Sequence, residues 1–180
     1  MRAGSEIVYV ALGANLADRE ATFEGVIDAI DEDPDLQLLA ASPIFETDPV
    51  GPPGQGRYLN AVVELRVGIE PIELLNRLHA IERKMGRDRK SEIQRWGPRK
   101  IDLDILFFGD RRIESSRLSV PHVHAHERNF VMVPMAELAP TFLHPELQIT
   151  MAEIARSFPA SVTIRPRPSG WPEPKSKLSI

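Results

Sequence analysis

Apolar and polar positions alternate along this chain with two periods, 2 and 3.6, and the switches between them set out the elements. Ile7-Val8-Tyr9-Val10-Ala11-Leu12 is short and rich in β-formers, which predicts a buried first strand ending in the turn Gly13-Ala14-Asn15-Leu16. Asp18 can cap a helix whose apolar positions, Phe23, Val26, Ile27 and Ile30, share one face. Residues 37–45 predict a second strand, with Pro43 marking an edge or a bulge. Residues 46–57 carry Pro49, Gly51, Pro52, Pro53, Gly54 and Gly56 and predict a long loop. A third strand follows over 58–67, with Leu59, Ala61, Val63, Leu65 and Val67 on one face and Tyr58, Asn60 and Val62 on the other. Pro71 opens a helix with the stripe Ile72, Leu75, Leu78, Ile81 and Met85, and Gly86 is its expected C′ residue. A second long loop leads to Ile101, Leu103 and Ile105, which alternate with Lys100, Asp102 and Asp104 before the run turns wholly apolar to Phe108.

Beyond this fourth strand, Gly109-Asp110 predicts a turn into a hairpin of 112–114 with 118–120. Residues 129–138 read as helix with a break at Pro134, and Thr150-Met151-Ala152-Glu153 is a capping box for a last short helix. The order strand–helix–strand, strand–helix–strand predicts an α+β protein of ferredoxin-like βαββαβ type, an antiparallel sheet with helices on one face, plus a C-terminal hairpin and helices. Residues 1–164 read as one domain. Residues 165–180, with Pro166, Pro168, Pro172 and Pro174 among Ser and Lys, read as an extended or disordered tail, in which Trp171 has no predicted docking place.

Chemistry enters at the fourth strand. Asp102 and Asp104 are two residues apart, so their carboxylates project from the same face. Like charges that close repel, and a cation would relieve them. Mg²⁺ takes one or two protein carboxylates and completes its shell with water and phosphate oxygens. A solvated strand face is the alternative reading. Arg95, Arg99 and Lys100 stand just upstream, and such side chains complement phosphate. Over residues 83–100 eight cations face two carboxylates, a local balance of +6 in a chain of net charge −4. That asymmetry points to an anionic ligand, while the acidic total argues against a general nucleic-acid binder. The chain has no cysteine, which excludes disulfides, thiolate metal sites and a cysteine nucleophile. His122, His124 and His126 alternate, but no cysteine or second cluster completes a tetrahedral zinc set. Donors to phosphate oxygen, or a polar loop before a helix, remain the two readings there. No apolar run approaches the roughly 18 residues of a membrane span, and the first six residues lack a signal-peptide pattern. A cytoplasmic monomer is the expectation.

The run Arg95-Trp96-Gly97-Pro98-Arg99-Lys100-Ile101-Asp102-Leu103-Asp104-Ile105-Leu106 resembles the signature of the 6-hydroxymethyl-7,8-dihydropterin pyrophosphokinase family of folate biosynthesis. Leu12-Gly13-Ala14-Asn15-Leu16, Tyr58-Leu59-Asn60-Ala61, Val120-Pro121-His122 and Glu127-Arg128-Asn129-Phe130 resemble the family in the same order. The resemblance implies transfer of pyrophosphate from ATP to 6-hydroxymethyl-7,8-dihydropterin, with release of AMP. It implies that Asp102 and Asp104 bind two Mg²⁺ and act catalytically with Arg87 and Arg99. It assigns Glu82, Arg89, Lys90, Trp96, Arg117, His122 and Arg128 to ATP. It places the pterin between Tyr58 and Phe130, its edge read by Asn60, with Thr47, Asp48, Val50 and Trp96 completing the pocket. From the residues alone, Tyr58 and Phe130 could equally be core aromatics. Loops 46–57 and 86–99 would close as lids that exclude water. The chain departs from the family pattern at Ala14, at His79, at Val123 and in a longer 87–99 loop. An inactive pterin- and nucleotide-binding protein, or an RNA-binding ferredoxin-like module, are the rival readings; the sheet lacks an RNP-like aromatic pattern.

Overall fold

The structure, a computed structural model, describes residues 4–49, 53–88, 97–159, 164–166 and 171. Its elements run β1 (Glu6–Ala14), α1 (Arg19–Glu32), β2 (Leu36–Ala41), β3 (Phe45–Thr47), β4 (Tyr58–Val67), α2 (Pro71–Lys84) and β5 (Asp102–Phe108). A small hairpin of β6 (Ile113–Glu114) and β7 (Ser119–Val120) follows. Then come a 3₁₀ turn at Ala125–Glu127, α3 (Asn129–Leu138), α4 (Met151–Arg156) and β8 (Ile164–Pro166).

The main sheet has the order β5-β1-β4-β3-β8, with β2 also pairing β4, and every pairing is antiparallel. This is the βαββαβ arrangement, with the predicted second strand divided in two. The division has a local cause. Pro43 has no N–H to give to a ladder. Ser42 substitutes for the lost pairing: its N–H donates to Val62 O at 2.8 Å and its Oγ accepts from Val62 N at 3.0 Å. β2 and β3 thus line one edge of β4, joined by a side-chain clip.

Helices cover both faces of the sheet, not one. Odd-numbered and even-numbered positions of β4 part to opposite sides, as the strand period requires. Leu59, Ala61, Val63, Leu65 and Val67 join Phe23, Val26 and Ile30 of α1 and Leu74, Leu78 and Ile81 of α2 in one core. Val62, Tyr9, Leu106 and Phe107 join Val131, Met132 and Met135 of α3 and Met151 and Ile154 of α4 in a second. The wholly apolar end of β5 serves both. A register shift against β1 between Tyr9 and Val10 turns the adjacent Leu106 and Phe107 to the same core.

Asp18 caps α1 through Ala21 N at 3.1 Å, and Thr150 and Glu153 form the expected capping box. Two expectations differ. Ile72 lies exposed at the start of α2 and Leu74 takes the buried place. Pro134 does not break α3; it sits inside a continuous helix and is itself buried. Ile164–Pro166 straddles the boundary that composition suggests at 164/165. Trp171 stacks on Phe23 with ring centroids 5.6 Å apart and donates its indole N–H to Ser42 O. Among the described residues no helix is long and apolar enough to cross a membrane.

Candidate active site

The second face of the sheet is apolar only along part of its length. Where α3 ends, the inward positions become polar or small. The strand register sets them in rows. Asn60 of β4 pairs with Gly13 of β1, which pairs with Asp102 of β5; one row on, Val62 pairs with Ala11, which pairs with Asp104. Residues directly opposite in antiparallel pairs point to one face. Asn60 and Asp102 therefore flank Gly13, about 10 Å apart at ~4.8 Å per strand. Gly13 presents no side chain between them; a Cβ there would stand in ordinary contact with Asn60 Oδ1, at 3.4 Å. The sheet thus offers a floor with an amide on one side and two carboxylates on the other.

The carboxylates differ in surroundings. Asp102 receives Arg87 Nη1 on Oδ1 at 2.5 Å and Arg99 Nη1 on Oδ2. Burial disfavours its charge, but the two guanidinium groups outweigh that and hold its pKa below the usual carboxylate range. Asp104 has, among the described residues, one ion pair within 4 Å, to His122 Nε2 at 3.9 Å. Its side chain is 38% exposed. Loss of solvation, then the charge of Asp102, push its pKa up to about 7. His122 Nδ1 accepts from His124 N at 3.2 Å, which leaves the ring proton on Nε2, toward Asp104. Burial first, then Arg128, lower the His122 pKa. Asp102 is thus compensated by two guanidinium groups while the charge of Asp104 is disfavoured where it stands, and a divalent cation bound beside Asp104 would relieve it.

The placement of Arg87 is built by the end of α2. Gly86 has φ +85, the left-handed conformation that glycine adopts at C′, and Arg87 N donates back to Glu82 O at 3.0 Å. A Cβ at Gly86 would meet Lys100 Nζ at 2.8 Å. The turn folds Arg87 over its own helix. Its side chain, 3% exposed, bridges Asp102 and the buried Glu82 Oε1, the latter at 2.7 Å. The same Glu82 oxygen accepts Leu103 N at 2.9 Å, tying α2 to β5. Glu82 is thus a buried anchor in this state, and Arg99, 28% exposed, is the open arginine of the pair.

Thr47 pairs with Tyr58 across β3 and β4, and its Oγ1 accepts from Asn60 Nδ2 at 2.7 Å. Tyr58 Oη donates to Gly97 O at 3.1 Å. Phe130, on the first turn of α3, lies beneath the Arg128 guanidinium at 6.0 Å. Asp48 pairs with Arg57 Nε at 2.9 Å across the ends of the described loop. Arg117 lies on the hairpin and donates to Asn76 of α2 at 2.7 Å. Val50, Arg89, Lys90 and Trp96, with the glycine at 51, lie outside the described residues.

One residue read only as part of a turn proves central. Asn15 Oδ1 accepts Arg99 N at 2.7 Å, its backbone N–H donates to Arg99 O at 3.0 Å, and its Nδ2 donates to Gln55 Oε1 at 3.1 Å and to Gly56 O at 3.3 Å. It clasps the described ends of both long loops. The sequence holds a hint of this: a polar residue directly after a buried strand, where an amide can serve several backbone groups.

Residues 9–140 match the profile of the family described as 7,8-dihydro-6-hydroxymethylpterin-pyrophosphokinase, HPPK. The chain is 45% identical over 139 residues to a 2-amino-4-hydroxy-6-hydroxymethyldihydropteridine pyrophosphokinase of Pseudomonas aeruginosa, covering 77% of this chain and 84% of that one. It is 41% identical over 134 residues to the protein of the same name from Bacillus subtilis, 74% and 78% of the two chains. Among solved structures, wild-type HPPK-DHPS of Plasmodium falciparum with pteroate superposes with a TM-score of 0.67 at 16% identity, a likeness of fold. That match covers 87% of this chain, which spans 43% of the longer protein.

Proposed function

The chain belongs to the 7,8-dihydro-6-hydroxymethylpterin-pyrophosphokinase family, and from that premise we propose how its residues divide the work. The protein transfers pyrophosphate from ATP to hydroxymethyldihydropterin in folate biosynthesis. The transfer forms a bond from the hydroxymethyl oxygen to the β-phosphorus of ATP and breaks the one to the departing AMP. Such reactions ask a protein for positioning and charge neutralisation more than for covalent chemistry.

In this reading Asp102 and Asp104 hold two Mg²⁺, which when bound would neutralise the triphosphate and orient it. The observation that carries it is the register: Asp102 lies in one row with Asn60 across Gly13, and Asp104 follows on the same strand face in the next row. Asn60 and Thr47 read the pterin edge, and Tyr58 and Phe130 bracket its ring. Arg99 exchanges its carboxylate partner for phosphate oxygens when nucleotide arrives. Arg87 stays on Glu82 and keeps β5 in place. His122 and Arg128 donate to the polyphosphate from the α3 side. Asn15 sets the approach of both loops, so that closing one favours closing the other and water is kept from the acceptor's place.

The test is AMP formation from ATP, pterin and Mg²⁺ beside Asp104→Ala. Pterin-dependent AMP that falls by about 10³-fold or more in the variant, as loss of a main electrostatic group does, supports the assignment. Near-normal turnover by the variant overturns it.

A further inference from the structure

The C-terminal segment lies outside the stretch that matches the family, yet its described residues grip one short piece of chain at both ends. That piece is 42–47. At its start, Ser42 O accepts the indole N–H of Trp171, whose ring stacks at 22° on Phe23, a side chain with no exposed surface. At its finish, β8 pairs with β3, setting Ile164 against Thr47 and Pro166 against Phe45. The other edge of β3 pairs Phe45 with Asn60 and Thr47 with Tyr58.

β3 is three residues long, follows the Pro43 interruption and ends before Pro49. A strand this short at a sheet edge is weakly held by its own ladder. β8 removes the edge, and Trp171 pins the clip that precedes it. Among the described residues, β3 meets the site through its pairing with Tyr58 and Asn60 and through Thr47, whose hydroxyl accepts from Asn60, so the effect of these contacts falls first on pterin recognition rather than on the carboxylates of β5.

We infer that the C-terminal segment is a positioning strap: Ile164–Pro166 and Trp171 hold β3 so that Thr47 and Asn60 keep the spacing that recognises the pterin edge. This rests on the assignment of Asn60 and Thr47 to the pterin. The test uses the full chain with Trp171→Ala, Trp171→Phe and Asn60→Ala. Pterin and non-hydrolysable ATP-analogue affinities are measured by calorimetry, well below each variant's melting temperature. Trp171→Ala is expected to weaken pterin binding about tenfold and leave the nucleotide within about twofold. Trp171→Phe, which keeps the stack and loses the N–H, recovers part of the loss. Pterin affinity unchanged in Trp171→Ala, while Asn60→Ala weakens it, overturns the strap alone. Unchanged affinity in Asn60→Ala overturns the pterin assignment and the strap with it. Equal weakening of both ligands in Trp171→Ala reduces the segment to general stability and also overturns the strap.

Discussion

Arg87 and Arg99 reach the same carboxylate and do different things. Arg87 is 3% exposed and bridges Asp102 to Glu82, itself 1% exposed. Removing one partner of a buried pair leaves charge without compensation and costs about 3–5 kcal/mol. Arg99 is partly solvated and its pairing contributes about 1 kcal/mol or less. Urea unfolding is expected to show Arg87→Ala losing about 3 kcal/mol and Arg99→Ala almost nothing, while AMP formation collapses in both. Equal stability losses would mean that the two arginines are not divided in this way. The sequence pointed to both residues through the basic run, but exposure is a tertiary property. Nothing in the spacing of Glu82, Arg87 and Asp102 says which guanidinium is enclosed. Asn15 was hidden for the same reason, since its partner Arg99 is 84 residues away.

At the scale of elements, the legible parts were those whose signal is local. The period of α1 and its Asp18 cap, the two faces of β4 and the Thr150 capping box all follow from neighbours in sequence. Pro134 misled because its penalty is local: it is the sixth residue of α3, inside the helix and buried, and tertiary packing overrides propensity there. The Pro43 interruption was visible; the way it is bridged was not. Ser42→Ala removes the acceptor of Val62 N–H, inside a strand residue with no exposed surface. An unsatisfied buried donor costs about 1–3 kcal/mol, and a loss in that range is expected on denaturant unfolding.

The turn between α3 and α4 carries a second, pH-dependent element. His144 is 2% exposed, and its Nδ1 accepts from the amides of Glu146 and Leu147 at 3.2 and 3.3 Å. Its Nε2 is buried without a hydrogen-bond partner among the described groups. Burial first and then His126 lower its pKa below 6.5, with Glu146 opposing. The unfolded chain therefore binds the proton more readily. The stability contributed is complete above about 6.5 and is lost as pH falls through the folded value. His144→Asn keeps an acceptor for the two amides and cannot titrate. Melting curves at about pH 7.5 and 5.5 should show the wild type losing more stability than this variant; parallel losses would exclude His144 as the source.

The whole molecule is a sheet with two cores, one complete and one cut short. The first core runs the length of β4; the second stops where Asn60, Asp102 and Asp104 replace apolar residues. Extending α3 contacts over that end would bury more surface and stabilise the fold, but the reaction would have no floor. The carboxylates make the conflict measurable. Asp104 shares its strand face with Asp102, and loss of solvation and that neighbouring charge raise its pKa to about 7, so its charge is disfavoured there without a ligand. Asp104→Asn removes that charge and keeps the shape. The ligand-free variant is expected to melt at or above the wild-type temperature, as a site residue optimised for function allows. Ligands that bind the folded state alone add stability by mass action, about 2.7 kcal/mol at a hundred times Kd. A non-hydrolysable ATP analogue with Mg²⁺ should therefore raise the wild-type melting temperature and leave the variant's almost unmoved. The two curves would then cross, with the variant more stable empty and the wild type more stable loaded. A variant that melts lower than wild type without ligand would show that Asp104 holds the fold together, and the sheet's polar end would have to be explained as structure.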